Sequence, residues 1–499
     1  MNEATDVNAL FPDTASAGSE QSLDPEDWEQ FRRLGHRVFN DLVDYLRTVR
    51  ERPVWRPLPD ASRELLSESM PEDGLALEAV YEQVREHILP YPTGNVHPRF
   101  WSWVGGTGTP TQLLADMVIS TMNSAGLGFD EVASTHAEIQ LLDWLKSMLG
   151  YPSTASGLLV SGGSMANLVG LAVARTHIAP YPVRVEGITL GGQPRLTFYA
   201  SSETHASVRK AIELLGLGSE SLRIVPVCDD YTVDTRALQV AIADDRRDGL
   251  RPACIVANVG TVNTGAVDPL HDLADLAERE SMWLHADAAF GAFARLSESC
   301  RGLVDGLERA DSLAFDLHKW LYVQYDCGCV LVRNRQLHHD TFSVASPYLR
   351  NLERGLASGP LNFSEYGVQL SRSFKALRAW MALKSEGVCR YRRQIEQNVQ
   401  QARYLERLIA RHAELELLAP VSMNIVNFRY IVPEWPEHVL NELNSELLLQ
   451  LQERGIAAPS STELRGRFAI RVAICNHRSR REDFDLLIKS AVEIGRELA

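Results

Sequence analysis

The feature that most constrains the fold is a series of seven short apolar runs in the middle of the chain, alternating with stretches of helical spacing. Short apolar runs are typical of buried strands, and intervening helical patterns of about 10–15 residues predict crossover connections. The pattern predicts an α/β domain over residues 95–380, built on a mostly parallel seven-stranded sheet with helices on both faces. The runs cover residues 158–160, 196–199, 224–227, 253–256, 283–286, 312–315 and 329–332.

Three further regions flank this domain. Residues 1–24 are rich in Ser, Ala, Asp and Glu without periodicity, which predicts a mobile tail. Apolar residues at helical spacing predict an N-terminal helical arm over 25–94. A changed order of elements predicts a small α+β domain over 381–499. The expected helices lie near 25–50, 76–89, 390–412, 437–454 and 482–497, and the expected strands near 424–431 and 468–475.

Composition restricts the classes of partner. The 499 residues include 50 Lys and Arg against 65 Asp and Glu, and the formal charge of -15 would repel nucleic-acid phosphates. No apolar run reaches the roughly 18–20 residues of a membrane-spanning helix, and the acidic N-terminus lacks the features of a secretion signal. We therefore expect a cytoplasmic protein with neither a nucleic-acid nor a membrane partner. The seven scattered cysteines predict reduced thiols.

The sharpest local motif is Asp316-Leu317-His318-Lys319-Trp320, which directly follows the predicted strand at 312–315. The carboxyl ends of strands in an open α/β sheet are where ligands bind. A half-buried lysine there can have a depressed pKa and form a Schiff base with a carbonyl. The alternative is a surface lysine beside a core tryptophan.

Three other strand ends carry polar or small residues. Gly163 and Ser164 begin an apolar helix, where free N–H groups and the helix dipole stabilise a phosphate. Asp287 ends a buried strand and could keep a pyridinium nitrogen protonated, while Ala289 leaves room for a flat ring. His205 offers an imidazole that could stack on the other face of that ring. Each feature also has a structural alternative, as a helix cap or a hydrogen-bonding histidine.

These four strand ends are expected to converge, because parallel strands end at the same edge of a sheet. Together they supply a phosphate site, a stacking ring, a counter-ion for a ring nitrogen and an amine for an aldehyde. That combination matches pyridoxal 5'-phosphate.

With these motifs, the sequence resembles the pyridoxal-phosphate-dependent group II amino-acid decarboxylases, the family of aromatic-L-amino-acid decarboxylase. The similarity runs from His97-Pro98-Arg99-Phe100 to Arg471-Val472-Ala473-Ile474-Cys475. The resemblance implies the fold-type I architecture, decarboxylation of an L-amino acid to the amine and CO2, and a homodimer. In such a dimer the active sites lie at the interface and the N-terminal arm wraps the partner.

The resemblance also implies a role for each motif residue. Lys319 is the Schiff-base lysine, and His318 lies beside it at the phosphate. Asp287 is the partner of the pyridine nitrogen, and His205 is the stacking ring. The other implied cofactor contacts are Thr261 near the ring substituents and Gly163 and Ser164 at the phosphate.

Catalysis and specificity depend on two further segments. Tyr348 falls where decarboxylating members carry a mobile-loop tyrosine that protonates the intermediate, and members that oxidise the amine to an aldehyde often lack it. Phe100, Trp101 and Trp103 lie in the segment that lines the pocket in the family, which favours an aromatic or other apolar substrate. Alternatively these rings belong to the core, and Arg99 would then favour an acidic or polar side chain.

The sequence departs from the family at two points. Asp316-Leu317 stands where many aromatic-specific members have Asn-Pro or Ser-Pro before the His-Lys pair. Gly105-Gly106 replaces a Pro-Thr at the substrate pocket. The identity of the substrate is therefore not inherited from the resemblance.

Other functions were weighed against this interpretation. Ser164, Asp287 and His318 follow the chain order of a hydrolase triad, but the last glycine of the nucleophile elbow is missing and Lys319 has no role. Transamination, oxidative decarboxylation-deamination and decarboxylation of an acidic or diamino acid use the same cofactor. A non-catalytic scaffold predicts losses at the motif positions. No metal is expected, since no second ligand pair at zinc-like spacing accompanies His338-His339 or Cys327-Gly328-Cys329.

Overall fold

The computed structural model describes residues 22–188, 192–344, 352–359 and 361–499, and two sheets organise this part of the chain. Most of the predicted tail lies outside the described residues. The strands are β1 (Phe100–Trp101), β2 (Ser156–Val160), β3 (Leu196–Ser201), β4 (Leu222–Val225), β5 (Arg251–Asn258), β6 (Trp283–Asp287), β7 (Ser312–Asp316), β8 (Gly328–Val332), β9 (Leu415–Leu417), β10 (Ile425–Tyr430), β11 (Ala458–Leu464) and β12 (Arg467–Ala473).

Helices surround both sheets. They are α1 (Trp28–Arg47), α2 (Asp60–Leu65), α3 (Leu77–Gln83), α4 (Pro110–Met122), α5 (Ala133–Leu149), α6 (Gly163–Ile178), α7 (Val183–Glu186), α8 (Ala206–Leu214), α9 (Thr235–Arg247), α10 (Leu270–Glu280), α11 (Arg335–Phe342), α12 (Ala376–Glu386), α13 (Val388–Ile409), α14 (Glu437–Glu453) and α15 (Arg481–Leu498). A π-helical turn, Val84–Ile88, continues α3.

The larger sheet contains all seven predicted strands, in the order β2-β8-β7-β6-β5-β3-β4. β3 to β7 form parallel pairs, whereas β8 runs antiparallel to both β7 and β2. β2 therefore points the same way as β3 to β7. This confirms the predicted mostly parallel sheet and brings the carboxyl ends of six strands to one edge.

Burial explains why these strands are continuous apolar runs. Residues 252–258 of β5 are all buried, so both faces of the strand are covered. Helix α6 packs across β6, β7 and β8 and also against α8, while α9 and α10 pack on β5. The helix that begins at the predicted glycine motif is thus held directly against the strands that carry the other motifs.

The smaller sheet has the order β1-β11-β12-β10-β9, with α13, α14 and α15 packed against it. The three C-terminal helices and strands β10 and β12 match the predictions, but β9 and β11 were missed. β9 has only three residues, and β11 is interrupted by polar side chains (APSSTEL), so neither shows an apolar run. β1 pairs with β11, which ties the segment around residue 100 to this sheet.

The N-terminal arm consists of α1, α2, α3 and the π-helical turn. Asp27 caps α1 as its carboxylate accepts the N–H groups of Glu29 (2.8 Å) and Gln30 (2.9 Å). Several large apolar side chains of the arm are exposed, among them Trp28 and Phe31. Among the described residues, no helix combines the length and apolarity needed to cross a membrane.

Candidate active site

A cavity of about 360 Å³ opens at the edge of the larger sheet where the parallel strands end. The loops that follow β2, β3, β6 and β7 each contribute to its wall, as the strand directions require. The structure therefore brings together most of the predicted site residues. Those lining the cavity are Gly163, Ser164, His205, Asp287, Ala289, His318 and Lys319.

Lys319 is paired with a carboxylate from its own motif. Its Nζ lies 3.2 Å from Oδ2 of Asp316, which is almost fully buried at the end of β7. Burial alone lowers the pKa of Lys319, but the carboxylates of Asp316 and Asp287 outweigh burial and raise the pKa above its ordinary value. The two carboxylates thus favour the protonated amine of Lys319 in this arrangement.

His318 is held in one orientation beside the same carboxylate. The backbone N–H of Cys327 donates to its Nδ1 (3.1 Å), so the hydrogen of the neutral ring lies on Nε2, 3.6 Å from Asp316 Oδ2. Burial lowers the pKa of His318 below its ordinary value, which favours this neutral form.

Two glycines leave space where α6 begins. An added Cβ at Gly162 would lie 3.2 Å from Cε1 of His318, and one at Gly163 would lie 3.1 Å from Asp316 Oδ2. We call Gly162, Gly163, Asp316 and His318 the glycine cradle. The first turn of the 16-residue helix α6 directs its free N–H groups here, the geometry that binds anions.

Asp287 ends β6 and is almost fully buried in the wall of the same cavity. Its Oδ2 accepts a hydrogen bond from Nδ2 of Asn167 (2.8 Å), and its Oδ1 accepts the backbone N–H of Ala289 (3.2 Å). These two donors stabilise an ionised carboxylate.

His205 is exposed at the start of α8, facing the cavity. Its Nδ1 accepts the backbone N–H of Ser207 (3.2 Å) and lies 2.8 Å from the Ser207 hydroxyl. Because a backbone N–H can only donate, the neutral imidazole carries its hydrogen on Nε2. Partial desolvation of the ring by the surrounding residues also lowers the pKa of His205 below its ordinary value.

Comparison with known proteins identifies the family that carries this site. Residues 59–431 match the model of the pyridoxal-dependent decarboxylase conserved domain. The chain belongs to the pyridoxal-dependent decarboxylases. It is therefore a carboxy-lyase that acts on an amino acid, and its cofactor is pyridoxal phosphate.

Relatives and solved structures extend the match along the chain. Aromatic-L-amino-acid decarboxylase of Bacillus atrophaeus is 35% identical over 479 residues, covering 94% of this chain and 96% of the relative. Phenylacetaldehyde synthase of Petunia hybrida is 29% identical and covers 91% of each. The crystal structure of Oryza sativa TDC with PLP and tryptamine superimposes with a TM-score of 0.88 at 28% identity, covering 95% of this chain and 99% of that one.

The cavity of this decarboxylase fits pyridoxal phosphate at both ends. A phosphate needs N–H donors and close backbone approach, and Gly162 and Gly163 at the start of α6 supply both. At the other end, the carboxylate of Asp287 suits a protonated ring nitrogen. Within the described ranges, no cluster of three or more His, Cys, Asp or Glu side chains could hold a metal.

Four of the predicted residues within the described ranges do not line this cavity, namely Thr261, Phe100, Trp101 and Trp103. Thr261 is buried, and its hydroxyl contacts Thr264 (2.9 Å) and the N–H of Ala266 (3.2 Å) within its own turn. Trp101 is fully buried with its ring stacked on Phe484, and Phe100 is buried between Val54 and Ala458. The core alternative therefore describes Phe100 and Trp101.

Trp103 differs from its two aromatic neighbours because its side chain is 60% exposed. Three residues later, the N–H of Gly106 donates to Oη of Tyr325 (3.2 Å), and the Tyr325 ring lies 4.5 Å from that of His318. An added Cβ at Gly106 would lie 1.7 Å from the carbonyl oxygen of His318. The departure at Gly106 therefore permits close backbone packing against the Lys319 segment.

Sequence reasoning missed several residues that shape the site, notably Asn167, His285 and Tyr325. Two had a usable signal. Asn167 lies one helical turn after Gly163 and so faces the same side, and His285 lies two residues before Asp287 and so shares its face of β6. Tyr348 lies outside the described residues, and its predicted role stays a prediction.

Proposed function

We propose that this decarboxylase converts an aromatic or other apolar L-amino acid to its amine and CO2, with Lys319 as the covalent attachment point of the cofactor. The observation that carries the proposal is one cavity holding a lysine amine, a buried carboxylate, an exposed imidazole and a glycine helix start. Pyridoxal phosphate supplies the electron sink for cleavage of the bond to the carboxyl group. The chain supplies orientation and charge.

Each side chain has a distinct task in this proposal. Asp287, whose carboxylate is oriented by two hydrogen-bond donors, keeps a proton on the ring nitrogen. His205 covers one face of the ring, with Nε2–H free to donate. The N–H groups at the start of α6, beside Gly162 and Gly163, bind the phosphate. Asp316 holds the Lys319 amine next to the cofactor position.

Two substitutions of the lysine test the attachment. Lys319→Ala removes the amine, and Lys319→Arg keeps a cation beside Asp316 without a primary amine. We expect both to lower CO2 release by on the order of 10³-fold or more. Borohydride reduction and mass spectrometry should find the pyridoxyl group on Lys319 in the unaltered enzyme. A modified peptide containing a different lysine would refute the assignment.

The preference for an aromatic or apolar substrate is supported by two exposed rings. Tyr325 is 51% exposed and lies beside His318, and Trp103 is 60% exposed and lies three residues before the Gly106 that contacts Tyr325. A panel of L-amino acids assayed for CO2 release tests it. We expect turnover of aromatic substrates and a raised KM for them in Trp103→Ala, with little change in Trp103→Phe. Turnover confined to Glu, Asp or diaminobutyrate would overturn this preference.

We also propose a cytoplasmic homodimer. Exposed apolar side chains on α1 and α4, including Val43, Leu114 and Val118, support a second copy as the covering surface. An apolar groove of about 470 Å³ lies between these helices. Light scattering should give twice the chain mass, and deletion of residues 1–52 should lower solubility and cofactor retention. A fully active monomer would contradict the dimer.

The second candidate is oxidative decarboxylation to an aldehyde, which the similarity to the Petunia phenylacetaldehyde synthase favours. Amine and hydrogen peroxide measured together under air distinguish the two reactions. If Tyr348 donates the proton that gives the amine, Tyr348→Phe should slow amine formation and divert flux to peroxide. Stoichiometric peroxide from the unaltered enzyme would establish the oxidative reaction.

A further inference from the structure

A chain of buried hydrogen bonds runs from the interior of the larger sheet to Asp287. Nε1 of Trp283 donates to Oγ of Ser312 (2.8 Å), and that hydroxyl lies 2.7 Å from Nδ1 of His285. Nε2 of His285 lies 2.9 Å from Oδ1 of Asn167, whose Nδ2 donates to Asp287 (2.8 Å). We call these five residues the ring-side network.

The direction of every bond in the network follows from its ends. The Trp283 indole can only donate, so the Ser312 hydroxyl accepts from it and has its own hydrogen available for Nδ1 of His285. The Asn167 carbonyl can only accept, so Nε2 of His285 carries the hydrogen. Nδ2 of Asn167 is then free to donate to the carboxylate of Asp287.

The same amide also serves the other group that faces the cofactor. Nδ2 of Asn167 donates its second hydrogen to the hydroxyl of Ser207 (2.9 Å), which in turn contacts Nδ1 of His205. Both hydrogens of Asn167 and its carbonyl are thereby used. Rotation of the amide would break three contacts at once, which holds it in one orientation.

The fold reserves space for this arrangement. His285 and Ser312 are fully buried, and Asn167 is 1% exposed. An added Cβ at Gly170 of α6 would lie 2.6 Å from Cε1 of His285 and 3.2 Å from Oγ of Ser312. A glycine in the middle of a helix costs stability relative to alanine, and here it admits the imidazole.

We propose that His285, Asn167 and Ser312 are positioning residues that orient the Asp287 carboxylate toward the ring nitrogen of pyridoxal phosphate. This inference rests on the proposed role of Asp287. With its hydrogen on Nε2, a neutral imidazole accepts the hydrogen of the Ser312 hydroxyl at Nδ1, whereas a second hydrogen on Nδ1 would reverse that bond. Burial lowers the pKa of His285 to about 4, which keeps the ring neutral near neutral pH.

The test compares binding of pyridoxal phosphate with that of its 1-deaza analogue, in which a C–H replaces the ring nitrogen. The Kd of the 1-deaza analogue is divided by the Kd of pyridoxal phosphate, both measured by spectral titration of the apoenzyme. This ratio reports the Asp287 contact and not general cofactor affinity. His285→Leu removes the donor to Asn167, and we expect the ratio to fall about tenfold. His285→Gln retains an amide donor and should keep most of the ratio.

A smaller substitution covers the case in which His285→Leu does not fold. Ser312→Ala removes one oxygen from the network and should lower the ratio by a smaller factor. Gly170→Ala favours the helix but displaces the imidazole, and should also lower it. If His285→Leu and Ser312→Ala weaken binding of both cofactors equally, the residues are merely structural and the inference is overturned.

Asp287→Asn separates this inference from the proposal on which it rests. If Asp287 contacts the ring nitrogen, the asparagine variant should lose the preference for pyridoxal phosphate. A preference unchanged in Asp287→Asn would refute the role of Asp287 itself. A preference lost in Asp287→Asn but intact in the His285 and Ser312 variants would refute only the network.

Discussion

Two regions of the cavity, the ring side around Asp287 and the glycine cradle around Asp316, differ in how their carboxylates are partnered. At the ring side, Asp287 and Asn167 have every side-chain polar atom partnered within the chain. At the glycine cradle, Asp316 Oδ1 is buried without a partner in the described part of the chain, and Oδ2 is balanced by Lys319. The chain therefore fixes the ring-side carboxylate by hydrogen bonds, whereas at the cradle the described residues partner the Asp316 carboxylate through the Lys319 amine alone.

Among the variants that test this comparison, the largest expected effect is a loss of kcat when Asp287 is changed. Asp287→Asn preserves shape and removes the charge, and we expect kcat for CO2 release to fall on the order of 10²–10³-fold at saturating cofactor. Asp316→Asn serves as the matched control at the cradle and should lower kcat far less. Equal losses in the two variants would show that the ends do not differ as described.

The next prediction concerns the pH dependence of stability at the ring side. In the unfolded chain His285 takes up a proton near its ordinary pKa of 6.5, whereas in the folded protein its pKa is about 4. Between these values the unfolded chain binds more protons, so this residue lowers the free energy of unfolding as pH falls from 6.5 to 4, by about 3 kcal/mol in all. His285→Gln should lose this part of the acid slope in denaturant titrations. An identical slope would contradict a buried neutral imidazole.

A matched pair of glycines tests the packing at the cradle side. Gly106→Ala places a Cβ 1.7 Å from the His318 carbonyl oxygen, so the Lys319 segment must shift. We expect a loss of about 1–3 kcal/mol in the free energy of unfolding, with weaker cofactor binding. Gly105→Ala is the control, because its nearest neighbour would be 3.4 Å away, an ordinary contact. Similar stability of both variants would refute the close approach.

The smallest expected effect is a change in the rate of cofactor loading when Asp316 of the glycine cradle is changed. Because Asp316 contributes to the raised pKa of Lys319, Asp316→Asn should lower that pKa and leave more free amine at neutral pH. Cofactor loading, followed by stopped-flow absorbance, should then be severalfold faster at neutral pH, and its rate profile should move to lower pH. A profile unchanged in the variant would mean that the Asp316 carboxylate does not control the amine.

Much of the fold and of the site was predictable because it follows from local sequence patterns, namely the apolar runs and the motifs at their ends. The seven apolar runs all became strands of one sheet, and the motifs at 163, 205, 287 and 318–319 all reached one cavity. Strand direction follows from crossover connections, so the convergence of strand ends needs no side-chain detail. The elements that were missed, β9 and β11, are short or polar and are stabilised by pairing with β10 and β12.

The aromatic segment shows where local pattern is insufficient. Phe100, Trp101 and Trp103 look alike in sequence, yet β1 pairs with β11 and sends the first two rings into the interior while the third stays exposed. The pairing partner lies more than 350 residues away in the chain. No window of sequence around residue 100 contains that information.

The sequence by itself determined the class of sheet, the edge at which the site forms and the chemical groups gathered there. It could do so because the order of the strands along the chain and the spacing of the motifs are properties of neighbouring residues. Only the tertiary structure decided which partners those groups have. Asn167 meets Asp287 across 120 positions and His285 across 118. Such contacts depend on how α6 packs against β6 and β7. Gly170 permits this close packing, and no local propensity encodes it.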